Sequence, residues 1–185
     1  MRTQKKLFKD SSFSRGYGGT LLKKRKNRIH GRPLDTRHSM HLVLRSSKAK
    51  GPWSFKVPSN EVKISKIVSR FAFINGVTIL SMANVGNHLH LQIKLSNRFG
   101  YKPFIRAVTA AIAMSITGWN RWTKKTTEKL KFWDYRPFTQ VVKAYKAFLN
   151  LKDYIQINVI EGFGCKKGEA RMIWTQAAEQ LIDSG

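Results

Sequence analysis

Acidic residues are scarce in this chain. Ten Asp and Glu stand against 35 Lys and Arg in 185 residues, leaving a formal net charge of +25. Self-repulsion of that size opposes a compact state, so the charge points to a polyanionic partner, nucleic acid first and an anionic membrane surface second. Cysteine is nearly absent: Cys165 is alone, which excludes an internal disulfide and suits a reducing cytosol. Long apolar runs are missing too. The most apolar stretch, AVTAAIAMSI over 107–116, falls well short of the roughly 20 residues a membrane span needs. The opening MRTQKKLFKD has no apolar run of the signal-peptide kind. A soluble, cytoplasmic, nucleoid-associated protein without a membrane partner is the expectation. The hydrophobic content of 42% is enough for a real core, so wholesale disorder is excluded.

The chain divides by pattern. Residues 1–37 lack sustained periodicity and combine glycines with Lys23, Lys24, Arg25, Lys26, Arg28 and Arg32, which reads as a flexible basic arm making phosphate contacts. From residue 38 the pattern is regular. HSMHLVLRS (38–46) alternates as a strand, and Ser59 or Asn60 opens a helix to about Asn75 with Val62, Ile64, Ile67, Val68, Phe71 and Ile74 at helical spacing. VTILSMAN is a second strand, and Val85-Gly86-Asn87 turns into a third. A helix from Lys102-Pro103 to Ile116, a basic connection with Arg121, Lys124 and Lys125, and a strand over 132–142 broken by Pro137 follow. A long helix from Ala144 to Ile160 carries the stripe Ala144, Phe148, Leu151, Ile155 and Val159, and a last helix covers about Trp174 to Ile182. The order β-α-β-β-α-β plus a helix predicts an α+β fold with a ferredoxin-like antiparallel sheet, two helices on one face. The expected units are the arm (1–37), a core domain (38–163) and a C-terminal extension (164–185).

The stretch GNHLHLQIK (86–94) holds two of the five histidines. On a strand His88, His90, Gln92 and Lys94 share one face, while Leu89, Leu91, Ile93 and Leu95 share the core face. Two imidazoles on an open face either bind a metal or are simply solvated, and two ligands are too few for a tight site. In the long helix, Tyr154 and Asn158 are neighbours four residues apart at the margin of the core stripe. Asn158 is able to complete a His-His-amide site; equally, the pair fits a half-buried tyrosine with a capping asparagine. His41 shares its strand face with Val43 and Arg45; it either approaches the site across the sheet or, the favoured reading, is structural. Trp53, Trp119, Trp122 and Trp133 fit base stacking or core plugging.

His88-Leu89-His90 after Gly86-Asn87 resembles the His-hydrophobic-His strand of the HUH single-tyrosine transposases. The tract from Phe132 to Asn158, ending YIQIN, is similar to the second half of that family, closest to the REP-associated tyrosine transposases. The resemblance spans about residues 38–163. It implies that His88, His90 and Asn158 hold Mg²⁺ or Mn²⁺. It also implies that Tyr154 is the nucleophile cleaving single-stranded or hairpin DNA, through a 5′-phosphotyrosine intermediate that allows strand transfer. It leaves monomer and homodimer open. Two departures stand out: Val85-Gly86 replaces the usual Met-Pro, and VIEGFGCKKG replaces a Pro-rich continuation after the helix. A non-catalytic nucleic-acid-binding module and a basic structural RNA-binding protein are the alternatives.

Overall fold

A computed structural model describes Tyr17–Gly18, residues 33–119 and residues 131–183, with side chains over 33–119 and 131–180. Its strands are β1 (Tyr17–Gly18), β2 (Ser39–Arg45), β3 (Val77–Asn84), β4 (His88–Leu95) and β5 (Phe138–Val142). Its α-helices are α1 (Pro58–Ile74), α2 (Tyr101–Thr117), α3 (Tyr145–Glu161) and α4 (Lys167–Asp183). The sheet order is β1-β5-β2-β4-β3 with every neighbour antiparallel. β4 thus lies between β2 and β3, which α1 connects. This is the α+β architecture expected from the strand and helix periods. The two-residue β1 adds Tyr17 and Gly18 to the outer edge of β5, opposite Gln140 and Thr139.

One face of the sheet is dry. Met40, Leu42 and Leu44 of β2 and Leu89, Leu91, Ile93 and Leu95 of β4 are at most 1% exposed, and they meet Ile64 and Val68 of α1 and Phe104, Val108 and Ile112 of α2. Strict alternation on β4 produces this: each leucine or isoleucine faces the helices and each intervening residue faces away. The opposite face is covered by α3, whose Leu151 and Ile155 join Ala83 and Val142, with Phe148 and Val159 alongside. α4 packs in turn on α3.

Several local expectations are corrected. α1 starts at Pro58, with Val57 as cap and no side-chain capping bond. Pro at the first helical position needs no N–H partner, and Asn60 instead donates its amide to the carbonyls of Pro52 and Ser54 at 2.9 Å each. Val62 and Ile74 are exposed, off the buried stripe of that helix. The strand expected over 132–142 is only Phe138–Val142. Phe132 is buried against Phe55, and Trp133 donates to the Thr109 carbonyl at 2.9 Å, so these aromatics plug the core and leave the ladder. Ala144 precedes α3 and is exposed. α4 begins at Lys167, well ahead of Trp174.

Candidate active site

The site is built from three elements. β2 and β4 pair with Val43 opposite His90 and His41 opposite Gln92. His41 is therefore the diagonal neighbour of His90 on one face, within reach of a ring side chain. α3 crosses above them and lowers Tyr154 onto the pair. The Tyr154 ring centroid lies 5.3 Å from that of His90 and 6.0 Å from that of His41, both edge-on. His88 meets His90 edge to face at 4.7 Å. Tyr154 is 38% exposed, so its ring sits at the rim where a substrate can reach it.

Two features seat α3. Its apolar stripe meets Ala83 and Val142. At its end, a Cβ on Gly162 would come within 2.8 Å of the Asn84 carbonyl oxygen and 2.9 Å of Lys56 Cε. Only a glycine lets the helix end approach the end of β3 this closely. Lys56 then lies over the Phe163 ring at 4.4 Å. The helix is thus held without a Pro-rich continuation. The turn before the histidine strand is held too: Gly86 has φ +89°, its N–H donates to Asn84 Oδ1 at 3.1 Å, and its carbonyl accepts from the Phe55 N–H at 2.7 Å.

The imidazoles are neutral by environment. Burial pushes His41 down to about 4. Burial, then the neighbouring His41 and His88, pushes His90 down to about 3. His88 is lowered by burial and by Arg45, with Glu161 acting in the opposite sense. A neutral imidazole is the form that donates a lone pair to a metal.

Hydrogen bonds decide which nitrogens are free. His88 Nδ1 lies 2.6 Å from Asn87 Oδ1, and His90 Nδ1 lies 3.1 Å from His41 Nε2. His90 Nε2 is buried with no hydrogen-bond partner. Such an orphan is costly unless something fills the space beside it. A divalent ion fits it, and His88 has its Nε2 left for the same purpose. Asn158 is buried, and its Nδ2 donates to the Tyr154 carbonyl at 2.6 Å, which leaves Oδ1 as its donor atom toward a cation. Glu161 is one turn beyond Asn158, and its Oε1 is likewise buried and unpartnered. Among the described residues no three His, Cys, Asp or Glu side chains converge as a ready metal cage. By donor chemistry, imidazoles with amide or carboxylate oxygens fit a weakly held, water-rich Mg²⁺ or Mn²⁺ better than a structural zinc.

Sequence reasoning weighed an approach of His41 across the sheet against a structural role, and it passed over Glu161. The approach of His41 follows from its register with β4, since alternation alone does not pair strands. Glu161 had a signal, because it lies three residues after Asn158 and seven after Tyr154, on one helical face.

Farther along the same sheet face, a cleft of about 420 Å³ opens between β4 and the start of α3. Arg37, Lys94 and Lys143 line it with Tyr145 and Phe148, whose rings stack 6.5 Å apart at 9°. Lys23, Lys24, Arg25, Lys26, Arg28, Arg121, Lys124 and Lys125, the expected phosphate contacts, lie outside the described residues, as does Trp122. No helix among the described residues is long and apolar enough to cross a membrane.

Neither a family model nor a curated protein matches the chain. Solved structures do. One is the structure of a REP-associated tyrosine transposase bound to a REP hairpin, with 11% identity over 73% of this chain and 74% of that one at a TM-score of 0.51. Another is a candidate transposase from Deinococcus radiodurans R1, with 15% identity over 72% and 97% of the two chains at a TM-score of 0.42. The first likeness establishes the fold, in agreement with the resemblance carried by His88-Leu89-His90 and YIQIN.

Proposed function

We propose that this chain is a metal-dependent enzyme that cleaves single-stranded or hairpin DNA and transfers the cut strand through a 5′-phosphotyrosine, as a transposase does. The reading rests on one observation: the Tyr154 ring sits over the buried His41–His90 pair, on the strand face of the His-Leu-His motif. The likeness to a transposase fold described with a REP hairpin is consistent with it.

In this reading His88, His90 and Asn158 hold Mg²⁺ or Mn²⁺. When bound, the ion supplies Lewis-acid polarisation of a phosphodiester oxygen and positive charge beside the phenol. The chain does the rest. Tyr154 Oη gives up its proton to solvent and attacks phosphorus, its O–P bond forms as the bond from phosphorus to the 3′ oxygen breaks, and the departing 3′ oxygen takes up a proton from solvent. A phenol with an ordinary pKa near 10 is a poor nucleophile at neutral pH, so nearby positive charge is essential. Phosphotyrosine conserves the energy of the phosphodiester, and a second 3′-hydroxyl reverses the step and joins strands. The basic cleft with Lys94, Lys143 and Tyr145 is positioned to take the phosphates and bases flanking the cut.

The test is incubation with hairpin oligonucleotides and Mg²⁺ or Mn²⁺, followed by a denaturing gel. A DNA–protein adduct that disappears in Tyr154→Phe and weakens in His88→Ala and His90→Ala is the expected result. Tight DNA binding with no adduct under either metal identifies a non-catalytic module, and preference for structured RNA identifies a basic RNA-binding protein.

A further inference from the structure

We propose that His41 is a positioning residue that fixes the tautomer of His90, so that the Nε2 lone pair of His90 faces the metal. This rests on the reading of the His88–His90 strand as a metal centre.

The argument is proton counting. A neutral imidazole has one N–H donor and one lone-pair acceptor. His41 Nε2 and His90 Nδ1 are 3.1 Å apart, with ring centroids 5.3 Å apart and ring planes within 18° of each other, inside a buried pocket, so one proton lies between them. Two arrangements exist. If His41 Nε2 carries the proton, His90 Nδ1 accepts it and His90 Nε2 must itself be an N–H. That N–H would be buried with no acceptor, and it has no lone pair for a metal. If His90 Nδ1 carries the proton, His41 Nε2 accepts it and His90 Nε2 bears a lone pair. The orphan atom is then a vacant ligand. Only the second arrangement binds an ion, and binding in turn selects it.

His88 is served in the same way by a different group. Asn87 Oδ1 accepts from its Nδ1 at 2.6 Å. Both imidazoles therefore have an acceptor on Nδ1, one an amide from the preceding turn and the other an imidazole from the adjacent strand. Metal-bound histidines generally hand their second N–H to a carboxylate, carbonyl or water. A neutral imidazole in that role adds no negative charge, so less of the ion's charge is cancelled before it meets a phosphodiester.

Mn²⁺ binding to the metal-free full chain, followed by paramagnetic resonance, tests the idea. His41→Phe keeps a flat ring of similar bulk but removes the acceptor, and is expected to weaken Mn²⁺ binding about 10- to 100-fold. His41→Gln offers an amide oxygen and is expected to recover most of that loss. Long-range nitrogen–proton spectra of the Mg²⁺-loaded wild type read the tautomers directly and require no variant to fold. They should show His90 protonated at Nδ1 and His41 protonated at Nδ1. Finding His90 protonated at Nε2, or equal Mn²⁺ binding by His41→Phe and wild type, overturns the proposal alone. Wild-type protein that binds no Mn²⁺, or binds it unchanged in His90→Ala, overturns the metal centre and this inference with it.

Discussion

The two faces of the sheet are made from alternate residues of the same strands, yet they are different materials. Toward α1 and α2, β2 and β4 present only aliphatic side chains, nearly all fully buried. Toward α3, the same strands present His41, His90 and Gln92, also buried, and His90 Nε2 among them has no hydrogen-bond partner. Among the described residues, the apolar cluster under α3 has four buried members against twenty on the other side. Burial of apolar area is the main favourable term in folding, so the first face carries the stability. The second face spends part of it, because buried imidazoles and an unpartnered carboxylate oxygen are unfavourable until something binds them. Stability and chemistry are separated by a shift of one residue along a strand.

Substitutions on each face sharpen this contrast. The largest expected effect is functional: Tyr154→Phe abolishes the DNA adduct while leaving the thermal melt unchanged, because a rim hydroxyl contributes little to packing. Loss of the fold in that variant would break the division of labour. Next is Leu91→Ala, which opens a cavity in the dry face and should cost roughly 2–5 kcal/mol in denaturant unfolding. Leu151→Ala, under α3, should fall at or below the bottom of that range and reduce adduct formation by loosening the tyrosine helix.

Acid should attack the second face first. The folded values for His41 and His90 lie at about 4 and about 3, below the ordinary 6.5 of the unfolded chain. Between those limits the unfolded chain binds more protons, so stability is full above about pH 6.5 and falls as pH drops. The slope should approach roughly 1.4 kcal/mol per pH unit for each imidazole. His41→Phe should flatten the slope measured by denaturant titration between pH 6.5 and 4. An unaltered slope would mean that these rings are not buried as described. The smallest effect belongs to the cleft. Lys94→Ala and Lys143→Ala should each weaken single-stranded DNA binding modestly and lower its salt dependence by about one phosphate contact, read from affinities at several salt concentrations.

Much of this was readable from residues alone. Alternation in HLHLQIKL gave the faces of β4, and the helical spacing of Phe148, Leu151, Ile155 and Val159 gave the orientation of α3. α1 and α2 are followed by Gly76 and Gly118, where left-handed φ values of +61° and +68° favour glycine. What escaped was non-local. Phe132 and Trp133 have strand-like composition, but a core gap beside Phe55 outweighs that propensity. An approach of His41 across the sheet was the less favoured reading, and only the register places it diagonally from His90. Pairing is a property of two segments, and no single segment encodes it.

Only Lys143 and Ala144 separate β5 from α3. A tether that short keeps the first turn of the helix beside the end of β5 while β5 stays in its own sheet. In the structure the Tyr154 ring meets the imidazoles of its own chain. Under the proposed cleavage one chain supplies both groups, so adduct formation should scale in simple proportion to enzyme concentration, even at high dilution.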